Sequence, residues 1–214
     1  MSSQPPSTQV TITELGRADV AGAVALHMGA FPDFFLTFLG RSFLRQFYLG
    51  YCGNPDTVAL VARRAATGEL LGTVVGPLRP AGFYKRLLLK RWWRFAWAAC
   101  GAVVRKPTVI PRLFRALTYR GDAPEDHTER ALLSSICVDP TAQGLGIGRQ
   151  LVCQFLENIR AANLPGAFLT TDVEGNEAVN AFYGRLGWKV DSEFATPEGR
   201  RMHRYVYDFC DHPK

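Results

Sequence analysis

The most restrictive pattern in this chain is an apolar strand that runs into a glycine-rich turn and from there directly into an amphipathic helix. Arg130 to Val138 is apolar and β-prone, and Asp139-Pro140 stops it. Gln143 to Gly148 then places glycines at 144, 146 and 148, and Ile147, Leu151, Val152, Phe155, Leu156 and Ile159 repeat at helical spacing up to Asn163. Glycines ahead of a helix let the backbone approach a ligand closely. They also aim unpaired N–H groups at an anion, which the positive helix end attracts further. The turn is therefore a candidate phosphate cradle. It is not a Walker loop, because no Lys-Ser or Lys-Thr follows Gly148, and its GxGxG spacing differs from the GxGxxG of dinucleotide folds.

Around this unit the pattern alternates strands and helices. Val10 to Glu14 reads as a strand, with Asp19 placed to cap a helix that runs to Ala30 and stops at Phe31-Pro32. Phe34 to Tyr51 reads as one apolar-faced helix, and Thr57 to Arg64 with Leu70 to Leu78 as a hairpin around residues 65–69. Ala167 to Asp172 is a strand, Asn176 to Leu186 a helix, and Trp188 to Phe194 plus Met202 to Phe209 a closing strand pair. The expected fold is a mixed α/β (α+β) sheet with helices on its faces. The 214 residues suit a single domain over 10–214 behind a loose tail, 1–9, which lacks the charged and apolar regions of a secretory signal. Five scattered cysteines without CxxC spacing indicate neither a disulfide framework nor a metal site, and they fit a reducing cytoplasm.

Gln143-x-x-Gly146-x-Gly148 after a strand ending in Val138-Asp139-Pro140, followed by Asn176-x-x-Val179-x-x-Phe182-Tyr183-x-x-x-Gly187-Trp188, resembles the GCN5-related N-acetyltransferase (GNAT) family. The resemblance covers about four fifths of the chain and implies a central sheet that splays open, with acetyl-CoA as cosubstrate and no metal. Pantetheine would lie against Ile136, Cys137 and Val138 in the opening. The pyrophosphate would sit on Gln143, Gly144, Leu145, Gly146, Ile147, Gly148 and Arg149, with Asn176 near the pantetheine arm. The implied reaction is direct acetyl transfer to a primary amine. Tyr183 would act as general acid to the departing thiolate, and main-chain N–H near Cys137 and Val138 would hold the oxyanion. Relatives often carry a glutamate on the strand before the glycine turn, whereas 131–135 holds no carboxylate. Glu129 and His127 are the nearest candidates for the base, and each reads equally as a solvated loop residue. Cys137 reads as core, His203 as a surface position or an acceptor contact, and Phe31 to Phe35 as a pocket wall or core. A lysine or amino-acid acceptor, or a silent CoA-binding module, are the alternatives.

The charge is segregated. From Arg79 to Arg120 there are eleven Lys and Arg and no Asp or Glu, so removing that stretch turns the net +6 of the chain into −5 for the rest. It also holds Trp92, Trp93 and Trp97, and it lies within 79–128, a helical insertion outside the shared pattern. At 100° per residue Leu88, Trp92, Phe95, Ala96 and Ala99 gather on one side and Arg86, Lys90, Arg91 and Arg94 on the other; Arg112 to Tyr119 forms a possible second helix. The helix either docks on the domain with a solvated basic face or lies at the anionic inner surface of a membrane. No nucleic-acid module surrounds it. The membrane reading points to an acceptor such as an amino sugar on a nucleotide or lipid carrier.

Overall fold

The computed structural model describes residues 9–32, 34–105, 129–196 and 199–211, without the side chains of 35 and 99–105. In chain order the elements are β1 (Val10–Glu14), α1 (Val20–Ala30), α2 (Phe35–Phe38), α3 (Arg41–Leu49), β2 (Thr57–Arg64), β3 (Leu70–Pro77) and α4 (Phe83–Arg105). There follow β4 (Ala131–Leu132), β5 (Ser135–Val138), α5 (Ile147–Ala161), β6 (Gly166–Asp172), α6 (Glu177–Arg185), β7 (Lys189–Ala195) and β8 (Arg201–Asp208). Residues 1–8 of the tail, His127 and the second basic helix expected at Arg112–Tyr119 lie outside the described residues.

The mixed α/β reading holds, in a sheet divided into two halves of order β1-β2-β3-β5 and β4-β6-β8-β7. Strand alternation distributes the core to both faces. Val58, Leu60 and Ala62 of β2 face α5 with Leu151, Val152 and Phe155, while Val61 of β2 and Val75 of β3 face α1, α3 and α4 with Val24, Phe43, Tyr48 and Phe95. Covered on both sides, β3 is an almost unbroken apolar run.

Three expectations are corrected. The helix read across 34–51 is two, because Gly40 takes a φ of 91° that ends α2 and turns the chain into α3. Asp19 does not cap α1; its carboxylate accepts from the Gly16 N–H behind it at 2.9 Å and pairs with Arg63, tying the helix start to β2. In α4 the apolar side is split. Phe95 is buried, Leu88 partly so, and Arg91 half-buried beside them, while Trp92, Trp93, Trp97 and Leu89 face solvent. The sequence pattern merged two apolar surfaces of different purpose.

Candidate active site

The strand entering the glycine turn changes partners midway. β4 pairs in parallel with β6, Ala131 with Ala167 and Leu132 with Phe168, and the Leu133 N–H donates to the Phe168 carbonyl at 2.9 Å. The next N–H, of Ser134, donates instead to the Val75 carbonyl of β3 at 2.9 Å, and Ser135 is also opposed to Val75. Two residues against one is a bulge, and it swings β5 onto β3. Gly76 makes the crossing possible: a β-carbon there would stand 1.9 Å from the Leu132 carbonyl oxygen and 2.8 Å from the buried Phe155 ring.

Beyond the bulge one edge of β5 has no strand against it among the described residues. An antiparallel ladder alternates, and the Asp139 N–H donating to the Leu71 carbonyl at 2.8 Å fixes its phase. The N–H and C=O of Cys137 therefore point at Thr73, and those of Ile136 and Val138 point into the opening beside β6. Of the two oxyanion donors expected, the Cys137 N–H is committed to the sheet and the Val138 N–H is not.

The opening leads into the turn. The Asp139 carboxylate accepts from the Thr141 N–H at 2.8 Å and its hydroxyl at 2.6 Å, bonds that hold this carboxyl below its ordinary value and stop the strand. Gly144 and Gly146 take φ of 81° and 74°, which L side chains avoid. Gly146 begins α5 with no side-chain cap, so the N–H groups of Ile147, Gly148 and Arg149 have no partner within the helix. Gln143, Gly144, Leu145, Gly146 and Arg149 are exposed around them, and Ile147 anchors the turn in the core.

α6 closes the other side. Asn176 Nδ2 donates to Thr171 Oγ1 at 2.5 Å and to the Asp172 carbonyl at 3.3 Å, and Asn180 Nδ2 donates to the Asp172 carbonyl at 3.1 Å. Asn180 Oδ1 accepts from the Tyr205 hydroxyl at 3.3 Å. These bonds clamp α6 to the end of β6 and use the N–H donors of Asn176 in the fold. Tyr183 is 4% exposed among Phe182, Trp188 and Tyr205, in the cluster that Ile136 and Val138 also join. Burial pushes its phenol well above the ordinary value, so it stays protonated at neutral pH.

On the opposite face of the strand, helix hydroxyls converge on the bulge. Tyr84 hydrogen-bonds Ser134 Oγ at 2.5 Å and Tyr51 at 3.2 Å. Tyr48 bonds His27 Nδ1 at 3.0 Å and lies 3.7 Å from Cys137 Sγ. Sequence reading missed this group, because Tyr48 and Tyr84 sit at apolar positions of helical repeats. Burial pushes the Cys137 thiol up to about 11, so it is a neutral core group rather than a nucleophile. Glu129 is exposed two residues ahead of β4, about 20 Å of extended chain before Ser135, and the structure does not bring it to the opening. His203 lies across from Thr171 with Nε2 3.8 Å from Glu193.

A sequence model of the Acetyltransferase (GNAT) family matches residues 24–188, and no curated protein matches the sequence. Among solved structures the fold is similar to a spermidine N-acetyltransferase chimera of Vibrio cholerae SpeG and hSSAT, with TM-score 0.60 and 15% identity over 95% of this chain and 97% of that one. It is similar to Arabidopsis thaliana NAA60 in complex with acetyl-CoA, with TM-score 0.58 and 13% identity over 94% and 99%. It is likewise similar to the ribosomal-protein-S18-alanine N-acetyltransferase of Escherichia coli, with TM-score 0.55 and 14% identity over 94% of both chains. At these identities the structures speak for the fold. The family match spans both the strand that splits the sheet and the turn that follows it, and on that ground the chain belongs to the GNAT acetyltransferase family, an acyltransferase enzyme.

Proposed function

We propose that this chain transfers an acetyl group from acetyl-CoA directly to a primary amine in a ternary complex. One observation carries the reading: the strand edge left open at Ile136 and Val138 continues, through one turn, into the uncapped amides of Ile147, Gly148 and Arg149. A row of outward N–H and C=O groups ending in an anion-binding helix start fits a ligand with amides at one end and phosphates at the other.

Bound acetyl-CoA supplies the activated thioester. The helix-start amides hold the diphosphate, and the exposed Arg149 guanidinium adds a charge-assisted contact. The outward groups of Val138 and the outward C=O of Ile136 pair with the pantetheine amides. The Ile136 N–H, the outward donor farther from the cradle, faces the carbonyl oxygen as negative charge develops there. Tyr183 donates its retained proton toward the sulfur. The neutral Cys137 thiol takes no acyl group, which leaves transfer direct. The amine's proton leaves toward the hydroxyls at the bulge, Ser134 and Tyr84 with Tyr51 behind them, rather than to Glu129. The four cysteines described are free thiols, which suits a reducing cytoplasm.

The test is calorimetric titration with CoA, followed by thiol release from acetyl-CoA with an amino sugar, a polyamine, free lysine and a peptide N-terminus as acceptors. Binding of CoA and amine-dependent release support the reading. No affinity for CoA overturns it, and CoA binding without release for any amine reduces the chain to a binding module.

A further inference from the structure

We propose that the outer face of α4 docks the protein on an anionic lipid bilayer. The helix has two apolar sides. One, with Phe83, Tyr84 and Phe95 buried and Leu87, Leu88 and Ala98 partly so, packs on α3 and the sheet. The other has no partner among the described residues: Leu89 is 66% exposed, Trp92 66%, Trp93 51% and Trp97 79%. Trp93 and Trp97 lie four residues apart on one face of the segment past the Arg91 kink, and Leu89, on the segment before it, is the first residue of this exposed apolar stripe. Soluble surfaces seldom carry so large a contiguous apolar patch without a use for it.

The charges around the stripe identify the occupant. Lys85, Arg86, Lys90 and Arg94 are exposed along its flanks, Arg41 and Arg45 of α3 are exposed nearby, and no acidic residue occurs from Arg79 to Arg105. Arg91 bends inward, the one residue of the helix with non-helical φ and ψ (−132°, 22°), which leaves the outermost positions to the indoles. Between α3 and α4 lies an open groove of about 510 Å³, lined by Arg45 and Arg94 together with apolar Leu49, Trp93, Trp97 and Ala98. A phosphate joined to an acyl chain matches that pairing of cationic and apolar groups. Indoles favour the level of lipid headgroups, and flanking cations are drawn to an anionic surface. A nucleic-acid duplex, held mainly through its phosphates, would require cations at the centre of the patch, where the indoles stand. A second copy would bring two cationic faces together.

The helix lies along the surface rather than through it, because no helix among the described residues is long and apolar enough to cross a membrane. Its first turn is fixed to the candidate active site by the Tyr84–Ser134 hydrogen bond of 2.5 Å. Leu89, the first residue of the stripe, follows five residues later, about 8 Å of helix rise. Docking therefore holds the bulge of β4–β5 close to the bilayer. The proposal does not depend on acetyl transfer, since vesicle binding is read without turnover.

The full chain is mixed with vesicles of phosphatidylcholine alone and of phosphatidylcholine with phosphatidylglycerol, and binding is read by co-sedimentation and tryptophan emission. The expected result is binding to the anionic vesicles with blue-shifted emission, weaker by at least about tenfold on neutral vesicles or at high salt. Trp92→Ser/Trp93→Ser/Trp97→Ser abolishes binding at unchanged melting temperature and CoA affinity. Lys90→Glu/Arg94→Glu weakens it on anionic vesicles, with the indoles retained. Failure to bind either vesicle overturns the proposal, as does equal binding by the triple variant. Sedimentation velocity that shows a vesicle-free dimer, lost in the triple variant, overturns it in favour of a copy-to-copy interface.

Discussion

Alanine at Gly148 separates the anion cradle from the fold that carries it. A β-carbon at this position would stand 3.5 Å and 3.7 Å from carbons of the Phe182 ring and 3.8 Å from Val138 Cγ2, all ordinary contacts. Alanine is also the better helix former by about 1 kcal/mol, so the folded state loses nothing by the change. The added carbon occupies the space between Val138, Phe182 and the start of α5, where a diphosphate must come within about 3 Å of the Gly148 and Arg149 amides. Forcing it back by the width of a methyl group costs one charge-assisted hydrogen bond, about 1.5–3 kcal/mol, or roughly ten- to a hundredfold in dissociation constant. Calorimetric titration with CoA reads the affinity, and a thermal melt without ligand reads the fold. A variant with unchanged melting temperature and wild-type affinity would refute the assignment of these amides to the diphosphate.

Gly76→Ala behaves in the opposite way. Its β-carbon meets the Leu132 carbonyl at 1.9 Å and Phe155 at 2.8 Å, so urea denaturation shows a loss of about 3 kcal/mol, and a loss under 1 kcal/mol would remove the close crossing at the bulge. Tyr183→Phe keeps the buried ring and its packing on Trp188 and Tyr205, so stability and the KM for acetyl-CoA hold while kcat falls about a hundredfold; an unchanged kcat ends the role of that hydroxyl as acid. Cys137 makes stability fall in alkali. The unfolded thiol loses its proton from about pH 9, whereas the folded one keeps it to about 11, so the unfolded state binds fewer protons in that window. Wild type loses about 3 kcal/mol more than Cys137→Ala as pH rises from 9 through 11, measured by denaturation at stepped pH, and equal losses would show the thiol to be solvated.

The parts of the fold legible in the sequence are those where backbone chemistry dictates residue type. Glycine at 144 and 146 answers positive φ, and Asp139-Pro140 answers the need to stop a strand and hold a turn. The hairpin of β2 and β3 and the apolar stripe of α5 follow from periods of two and 3.6. What the sequence hid depends on contacts between distant segments. Nothing local in Arg130–Val138 marks the bulge, because its cause is the partner exchange from Phe168 to Val75 and the missing side chain of Gly76, more than fifty residues upstream. The two apolar faces of α4 overlap on a helical wheel, and only packing on α3 shows which aromatic rings the core takes.

The same distinction explains why the donor side of the site could be read and the acceptor side could not. The donor side is made of peptide groups: the outward edge of Ile136 and Val138 and the amides of the glycine turn. Peptide groups are common to all residues, so the sequence shows them only through the glycines that expose them, and those glycines form a compact local signature. The proposed acceptor side is made of side chains from helices far apart in the chain, with Tyr84 on α4 reaching Ser134 and Tyr48 on α3 joining His27 on α1 to Cys137. Each of these occupies an apolar position of its helix, where an aromatic ring fills the core and its polar tip needs a partner. Buried hydroxyls of this kind are held by mutual hydrogen bonds, and losing one partner leaves the other unsatisfied at a cost of about 1–3 kcal/mol. Such a network constrains the amine side more tightly than loop residues such as Glu129 can, which is the physical reason to place the amine's proton path there.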